Sequence, residues 1–253
     1  MGLEERYQQE TAKWDQLAEN ERQSLGTLPV ELDFHKYARS SEMLPGVSEF
    51  LGNLKGKKIL EYGCGFGLIA VLLAKSGGDV TAFDLSSGCV LTTAKQVKLN
   101  NVQAQVDLTI AGGEYTPFAK NSFELIFGKS ILHHLLPVPA KDEIFRLLKP
   151  GGKAVFIETL GMNFFLNFAR AYLPYKYRPP RGVDKALTYK DIDLWFSDYS
   201  EYRFQEIQLF SMLERAFGWE TEFMFLRKLD AFLLKRVKFL RRFCRYVVIY
   251  AIK

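Results

Sequence analysis

One glycine-rich segment and one acidic residue form the part of the sequence most able to bind a ligand. Residues 61–67 read Glu-Tyr-Gly-Cys-Gly-Phe-Gly, and Asp84 ends the next apolar stretch. A glycine turn lets the backbone approach a ligand closely and leaves N–H groups free near the start of a helix. A carboxylate such as Asp84 can accept two hydrogen bonds from ribose hydroxyls. Together they predict a nucleoside-containing ligand, with a ligand-free tight turn and an aspartate helix cap as the alternatives.

The glycine spacing separates two classes of nucleotide-binding protein. A nicotinamide dinucleotide fingerprint has the pattern G-x-G-x-x-G, in which the last glycine allows close packing of helix and strand. Gly63, Gly65 and Gly67 give G-x-G-x-G, and Leu68 occupies the last position of the dinucleotide pattern. The spacing therefore disfavours a nucleotide-dependent oxidoreductase, which stays an alternative.

Two adjacent histidines, His133 and His134, are the candidate catalytic bases. They follow the fourth predicted strand, and a neutral imidazole can take a proton from a hydroxyl group or a phenol. The alternative is that one of them caps or packs against the edge of the sheet.

Three other polar side chains are candidate contacts for an acceptor substrate. Glu158 ends the fifth predicted strand, on the side where ligands bind in open α/β sheets. Its alternative role is to anchor the following segment through Asn163 or an arginine. Tyr37 lies in the N-terminal helical region, where a packing role competes with contact to an acceptor.

Short apolar strands alternate with helices through the middle of the chain. The predicted strands are 58–62, 79–84, 104–110, 123–128, 153–158, 204–210 and 246–252. The predicted helices between them are 68–75, 88–100 and 141–148. This alternation implies right-handed crossovers and a parallel sheet covered on both faces. The predicted fold class is α/β, a Rossmann-like, doubly wound and mostly parallel seven-stranded sheet.

Four consecutive segments describe the predicted organisation. They are an N-terminal helical lid (1–53), a cofactor-binding core (54–160), a helical insertion (161–200) and a C-terminal part completing the same domain (201–253). The insertion is rich in aromatic residues, namely Phe164, Phe165, Phe168, Tyr172, Tyr175, Tyr177, Tyr189, Trp195 and Phe196. Because ligand pockets are mostly apolar, the insertion predicts a cap over an apolar acceptor, with packing on the sheet as the alternative.

The C-terminal segment combines positive charge with an apolar stripe. Nine lysines and arginines follow Phe225, against one acidic residue, Asp230. Apolar residues recur at near-helical intervals from 224 to 245, which predicts a basic amphipathic helix packed on the core. Peripheral contact of this helix with an anionic membrane is the alternative. Nucleic-acid binding is disfavoured because no reader motif is present and the formal net charge is only +5.

Length and cysteine usage bound the remaining classes of protein. The 253 residues are 48% hydrophobic, enough to bury the core of one large α/β domain. Cys64, Cys89 and Cys244 show neither metal-ligand nor disulfide spacing. We therefore expect no bound metal and a reducing, cytoplasmic setting, with membrane association as the alternative. The expected assembly is a monomer or a homodimer.

These motifs resemble those of class I S-adenosylmethionine-dependent methyltransferases. The likeness rests on segments 59–67, 80–84, 123–135 and 148–158, and it covers roughly 54–158. The nearest group is the type-11 methyltransferase domain, which includes quinone-biosynthesis methyltransferases. The resemblance implies S-adenosylmethionine as the cofactor. The implied cofactor contacts are Glu61, Gly63, Gly65 and Gly67 for the methionine part, Asp84 for ribose, Leu85 for adenine, and Gly128 with Lys129 for the methionine amino group.

One position departs from the family pattern. Members usually carry an aspartate that holds the adenine amino group, and Gly112 stands at that position here. Either Glu114 substitutes for it, or backbone groups around Gly113 recognise the base.

The sequence thus predicts an enzyme that transfers a methyl group from S-adenosylmethionine to a small-molecule acceptor. The expected acceptor atom is an oxygen of an apolar, lipid-like, glycan or natural-product substrate. The cofactor supplies the activation and the protein supplies alignment and sometimes a base, so no nucleophilic side chain is required. A non-catalytic cofactor-binding protein is a further alternative.

Overall fold

A seven-stranded sheet forms the centre of the fold. The computed structural model describes residues 2–172, 185–216 and 224–253. The strands are β1 (Lys58–Tyr62), β2 (Asp79–Asp84), β3 (Val106–Ile110), β4 (Phe123–Lys129), β5 (Leu148–Thr159), β6 (Glu201–Ile207) and β7 (Tyr246–Ile252). They lie in the order β3-β2-β1-β4-β5-β7-β6.

The strand directions confirm the predicted fold class. Strands β1 to β5 are parallel, whereas β7 runs antiparallel to both of its neighbours, β5 and β6. Because helices cover both faces, the central strands are continuous apolar runs. In β7, for example, residues 247–251 are all buried. The strand order reverses between β1 and β4, which opens a crevice at the carboxyl ends of these strands.

Ten helices surround the sheet within the described residues. They are α1 (Leu3–Arg22), α2 (Phe34–Ser40), α3 (Val47–Leu51), α4 (Leu68–Lys75), α5 (Ser87–Leu99), α6 (Pro137–Leu147), α7 (Phe164–Tyr172), α8 (Tyr189–Phe196), α9 (Met212–Ala216) and α10 (Met224–Arg236). Short 3₁₀ turns lie at 103–105, 132–134 and 238–243.

Two apolar clusters join the helices to the two faces of the sheet. One contains Phe34 of α2, Leu51 of α3 and Val71 of α4. The other contains Ile144 of α6 and Trp195 of α8, together with buried residues of β5 and β7. Burial of these apolar side chains away from water stabilises the packing of the helices on the sheet.

Side-chain caps fix the starts of two helices. The Ser86 hydroxyl accepts a hydrogen bond from the Cys89 N–H at 2.9 Å and begins α5. Thr188 and Asp191 form a reciprocal capping box that begins α8.

Several predicted boundaries are wrong because long-range strand pairing decides them. Strand β6 occupies 201–207 rather than 204–210, since its register with β7 pairs Glu201 with Ile252 and Ile207 with Tyr246. Strand β5 begins at Leu148 rather than 153, because 151–152 hydrogen-bond to Lys253. Helix α6 begins at 137 rather than 141.

The C-terminal basic segment is two pieces rather than one helix to 245. Helix α10 ends at Arg236, and a 3₁₀ turn follows at 238–243. Leu233, Leu234 and Leu240 pack against the second apolar cluster, as the packing interpretation predicts. Within the described ranges, no helix has the length and apolarity needed to cross a membrane.

The insertion after β5 is only partly described. Helices α7 and α8 lie within it, and the predicted aromatic residues Tyr175 and Tyr177 lie outside the described residues. Trp195 and Phe196 of α8 are buried, and Tyr189 packs partly buried against the second apolar cluster, so these three aromatic residues are core packing. In contrast, α7 exposes four aromatic side chains, Phe164, Phe165, Phe168 and Tyr172.

Candidate cofactor and acceptor site

The glycine loop after β1 uses its three glycines in two ways. All three have positive φ, at 80° for Gly63, 49° for Gly65 and 85° for Gly67. A Cβ at Gly63 would lie 2.8 Å from Ile131, and one at Gly67 would lie 2.8 Å from the Thr93 backbone. A Cβ at Gly65 would meet nothing within 4 Å. Gly63 and Gly67 therefore let the loop pack, while Gly65 faces open space.

That open space belongs to a cavity in the sheet crevice. It encloses about 770 Å³ including its open mouth, a size suited to a nucleoside-containing ligand. Its lining comes from the first helix and from the ends of four strands with the loops that follow them. The lining residues are Arg6, Tyr7, Glu10, Trp14, Gly63, Gly65, Phe83, Asp84, Leu85, Ser86, Ala111, Gly113, Glu114, Lys129, Ser130, Ile131, His134 and Leu135.

Two backbone N–H groups fix the orientation of the Asp84 carboxylate in the lining of this cavity. One carboxylate oxygen accepts from the Gly65 N–H at 2.9 Å, and the other accepts from the Ser86 N–H at 3.0 Å. Burial raises the pKa of Asp84, and these backbone N–H groups oppose that rise. Each oxygen keeps a lone pair for another donor, so the carboxylate can accept from two ribose hydroxyls.

Glu61 supplies a buried acceptor beside the glycine loop. The Ala70 backbone N–H donates to its carboxylate, but Oε2 is buried and accepts no hydrogen bond from the described residues. Burial, and then the neighbouring Asp84, raise the pKa of Glu61 well above its ordinary value of 4.5. An unpaired buried acceptor is costly, so a cationic amino group of a ligand is its natural partner. Together with Asp84, Glu61 fits the amino group and the ribose of S-adenosylmethionine.

The other end of the cavity is lined by apolar residues, and the polar side chains of Tyr7 and Glu114 lie at its boundary. Leu85, Ala111 and Leu135 line it, and the Tyr7 hydroxyl donates to Glu114 Oε2 at 2.5 Å. Glu114 Oε1 accepts from the Leu136 N–H at 2.8 Å, so each carboxylate oxygen of the predicted adenine contact Glu114 already accepts one hydrogen bond from the protein.

Helix α1 covers the mouth of the cavity. Arg6 donates to the His134 carbonyl oxygen at 2.5 Å, and Trp14 packs edge-on against the His134 ring. Asp15 ties the helix down, since its Oδ1 accepts from the Ser86 hydroxyl at 2.5 Å and from the Gly88 N–H at 2.7 Å. The sequence predicts an N-terminal helical lid but does not identify the α1 residues that line the cavity. Their spacing at 7, 10 and 14 places them on one helix face, and that periodicity is the signal that could have found them.

The two histidines have different surroundings. His134 lines the cavity, and its Nδ1 lies 3.3 Å from Glu10 Oε2. His133 instead has Nδ1 2.6 Å from Glu158 Oε2. Both side chains lie on the 3₁₀ turn after β4, with ring centroids 4.2 Å apart.

Glu158 is fully buried and serves the histidine turn. Its Oε1 accepts from the backbone N–H groups of Ile131 and Leu132, each at 2.8 Å. Because its other oxygen faces His133, the carboxylate has protein partners on both sides. The structure thus joins two residues that the sequence prediction treated separately.

The remaining predicted contacts lie away from the cavity lining. The Asn163 carboxamide donates to the Phe243 carbonyl oxygen and accepts N–H groups at the start of α7. Tyr37 packs against the first apolar cluster, and burial raises its pKa. A Cβ at Gly128 would lie 2.5 Å from Phe156, so Gly128 is a packing position. Its neighbour Lys129 does line the cavity.

Ser130 is an unpredicted feature of the site. It lines the cavity with a φ of 57°, a left-handed conformation that costs a non-glycine residue about 1–3 kcal/mol. Such outliers concentrate at ligand sites, and nothing in its local sequence marks it. In the described part of the chain, no cluster of three or more His, Cys, Asp or Glu side chains could hold a metal ion.

The fold and this site define a Rossmann-like protein with a nucleoside-binding crevice. Residues 60–156 match the family described as a methyltransferase domain. The match over this segment supports a class I S-adenosylmethionine-dependent methyltransferase and favours this class over the oxidoreductase alternative.

Curated relatives resemble part of the chain. A ubiquinone biosynthesis O-methyltransferase of Coxiella burnetii (strain RSA 493 / Nine Mile phase I) is 36% identical over 126 residues, covering 47% of this chain and 48% of the relative. That of Alkalilimnicola ehrlichii is 31% identical over 121 residues, covering 46% and 47%. The biotin biosynthesis bifunctional protein BioHC of Cellvibrio japonicus is 31% identical over 153 residues, covering 56% and 29%. The chain therefore spans less than half the length of these relatives.

Solved structures share the fold over most of the chain. The [4+2]-cyclase SpnF has a TM-score of 0.62 at 15% identity, with 97% of this chain and 94% of that chain covered. The geranyl diphosphate C-methyltransferase from Streptomyces coelicolor A3(2) also has a TM-score of 0.62, at 16% identity, with 86% and 83% covered. At these identities the likeness shows the fold alone.

Proposed function

We propose that this protein transfers the methyl group of S-adenosylmethionine to an oxygen atom of a small-molecule acceptor. The observation that carries the proposal is a pair of acidic residues, Asp84 in the cavity lining and Glu61 buried beside the glycine loop. Glu61 offers a buried, unpartnered carboxylate oxygen, and Asp84 is held by Gly65 and Ser86 with acceptor capacity to spare. This pair suits a ligand that carries a cationic amino group on one side of a ribose.

The reaction needs little covalent chemistry from the protein. The bound cofactor supplies a sulfonium-linked methyl group, so the acceptor oxygen forms the new O–C bond as the C–S bond breaks. The acceptor hydroxyl proton passes to a base. His133 suits this role because Glu158 Oε2 lies 2.6 Å from Nδ1. If Nδ1 donates its proton to this carboxylate, Nε2 holds the lone pair that takes the acceptor proton.

The acceptor is proposed to be apolar. Helix α7 follows β5, whose carboxyl end lies at the crevice side of the sheet, and it exposes aromatic side chains with Phe164 at 67% and Phe168 at 55%. Exposed aromatic surface of this kind is uncommon on a helix without a ligand or partner. The names of the Coxiella and Alkalilimnicola relatives, O-methyltransferases of ubiquinone biosynthesis, support an apolar acceptor methylated at oxygen.

Peripheral contact with an anionic membrane is the second part of the proposal. The outward side of α10 and the following 3₁₀ turn exposes Phe225, Phe232 and Phe239, while Asp230 is buried. The segment's exposed cations are Lys228, Lys235, Arg236, Lys238 and Arg242. Aromatic side chains among cations suit the interface of an anionic lipid surface, from which an apolar acceptor could be drawn.

Calorimetry with the wild-type chain and Asp84→Asn tests cofactor identity. We expect S-adenosylmethionine and S-adenosylhomocysteine to bind the wild type, and Asp84→Asn to bind each about 10- to 100-fold more weakly. Binding of NADH without binding of S-adenosylmethionine would contradict the proposal.

Labelled methyl transfer into a cell extract tests turnover. We expect an extractable apolar product that carries the labelled methyl group. A cofactor-binding protein without methyl transfer is the second candidate, because Gly112 stands where the family pattern has an aspartate. Tight cofactor binding with no labelled product would favour that candidate.

A further inference from the structure

Tyr7 of α1 occupies the space beside Gly112. A Cβ built at Gly112 would lie 2.1 Å from the Tyr7 hydroxyl oxygen and 2.4 Å from the ring carbon that carries it. Any side chain at 112 would therefore have to displace Tyr7. The Tyr7 side chain thus fills the space that a side chain at 112 would occupy.

The Tyr7 hydroxyl presents an acceptor rather than a donor. Its hydrogen is committed to Glu114 Oε2 at 2.5 Å. Glu114 is itself buried, and its other oxygen accepts from Leu136. Burial and the nearby Glu114 carboxylate raise the pKa of Tyr7, so the phenol stays protonated. The remaining lone pair of the tyrosine oxygen is free for a ligand donor.

The shape of the crevice decides which part of the cofactor meets Tyr7. A ribose at Asp84 lies at the end of β2, between β1 and β3 in the sheet. On the β1 side, the unpartnered oxygen of Glu61 suits the cationic amino group of the methionine part. The base must therefore extend over the end of β3, where Ala111 and Gly113 line the cavity. This apolar slot ends at Tyr7.

We propose that Tyr7 accepts a hydrogen bond from the exocyclic amino group of adenine, in the place that Gly112 leaves open. This assignment rests on the proposed function, since it concerns the same cofactor. It makes α1 part of the nucleoside site, so the base is recognised only when the helix is seated. It also predicts selectivity for adenine. A base with a carbonyl group at that position would place its oxygen, a hydrogen-bond acceptor, against the acceptor oxygen of Tyr7.

The test compares two ligands that differ at the amino group. S-adenosylhomocysteine carries it, and S-inosylhomocysteine carries a carbonyl oxygen there. We expect the wild type to prefer the first. Tyr7→Phe should bind the first about 3- to 10-fold more weakly and the second at least as tightly as the wild type does, because the acceptor that faces its carbonyl oxygen is removed. Tyr115→Phe is the matched control, because it removes a hydroxyl from a neighbouring side chain that is 69% exposed. Undiminished binding of the inosine ligand also shows that Tyr7→Phe is folded.

Exchanging the two positions gives an independent measurement. Gly112→Asp alone should weaken S-adenosylhomocysteine binding, since its Cβ meets the Tyr7 hydroxyl. Adding Tyr7→Ala makes room for the aspartate, whose carboxylate then accepts the amino group, so the double variant should regain affinity and adenine preference.

Three results would overturn the assignment. They are equal or tighter binding of S-adenosylhomocysteine by Tyr7→Phe, an equal loss for both ligands in that variant, and no recovery in the double variant. A wild-type chain that binds neither S-adenosylmethionine nor S-adenosylhomocysteine would overturn the proposed function as well, so the two failures are distinguishable.

Discussion

Glu158 Oε2 lies 2.6 Å from Nδ1 of His133, and the same carboxylate accepts two backbone N–H groups of the turn that carries this histidine. The strand β5 thus fixes both the position of the turn and the orientation of the imidazole ring. A fully buried carboxylate in this arrangement favours the tautomer with its proton on Nδ1.

Removing the base should slow turnover without weakening cofactor binding. We expect His133→Ala to lower kcat by ~10²–10⁴, the contribution typical of general-base catalysis, with unchanged affinity for S-adenosylhomocysteine. His35→Ala is the matched control, because His35 bonds to Ser48 far from the crevice. An undiminished kcat for His133→Ala would exclude it as the base.

Replacing the carboxylate by its amide should reverse the histidine tautomer. The Glu158→Gln amide N–H would donate to Nδ1, which places the histidine proton on Nε2 and blocks proton acceptance there. We expect kcat to fall by ~10²–10⁴ while KM stays near the wild-type value. The pH–rate profile separates this positioning role from a structural one, since only the former alters the low-pH limb, where the base loses its proton. A wild-type profile with a lowered melting temperature would indicate a structural role.

Cofactor binding should release a proton from Glu61. The free protein holds this proton at pH values above 4.5, because burial and Asp84 raise the pKa of Glu61, whereas a cationic ligand favours the carboxylate. Calorimetry in buffers of different ionisation enthalpy should detect this release in the wild type and not in Glu61→Gln, which should also bind ~10- to 100-fold more weakly. Glu31→Gln, an exposed substitution, is the control. Equal proton release by Glu61→Gln would refute the assignment.

The same raised pKa predicts how stability depends on pH. Over the window that begins near 4.5 and ends at the raised value, the folded chain binds more protons at Glu61 than the unfolded chain does. The free energy of unfolding contributed by this group therefore falls as pH rises through the window. Denaturant unfolding without cofactor should show this decline, and Glu61→Gln should flatten it.

Helix α1 should loosen when its attachment to α5 is removed. Asp15→Ala deletes the acceptor for the Ser86 hydroxyl and the Gly88 N–H. We expect faster proteolytic cleavage of the N-terminal segment and ~3- to 30-fold weaker binding of S-adenosylhomocysteine. Glu19→Ala, on the same helix and exposed, should behave like the wild type. Identical cleavage of Asp15→Ala and the wild type would show that this attachment does not hold α1.

Flotation with liposomes tests the C-terminal surface. We expect the wild type to float with anionic vesicles and not with neutral ones, and the pair Lys235→Glu and Arg236→Glu to abolish flotation. The pair Lys98→Glu and Lys120→Glu changes the net charge equally at exposed positions elsewhere and should retain it. A wild type that stays at the bottom of the anionic gradient would contradict membrane contact.

Local signals gave the parts of the fold that depend on neighbouring residues. The strand–glycine–helix segment around Gly63 to Gly67, the cap at Ser86 and the capping box at Thr188 are all readable from short stretches and are all present. The bounds of β5 and β6 were not readable, because their ends are set by hydrogen bonds to β7, a strand far along the chain.

The sequence by itself determined the fold class, because strands and helices alternate at a local spacing. Its motifs also resemble a family that implies the cofactor class, and the ribose contact of Asp84 stays a prediction. Only the tertiary structure joined His133 to Glu158 and brought Tyr7 of the first helix against Gly112. Both relationships connect distant segments, and a side chain's partners there depend on how the sheet and helices pack. The glycine loop identifies the ligand class, and the packing around it decides which side chains meet the ligand.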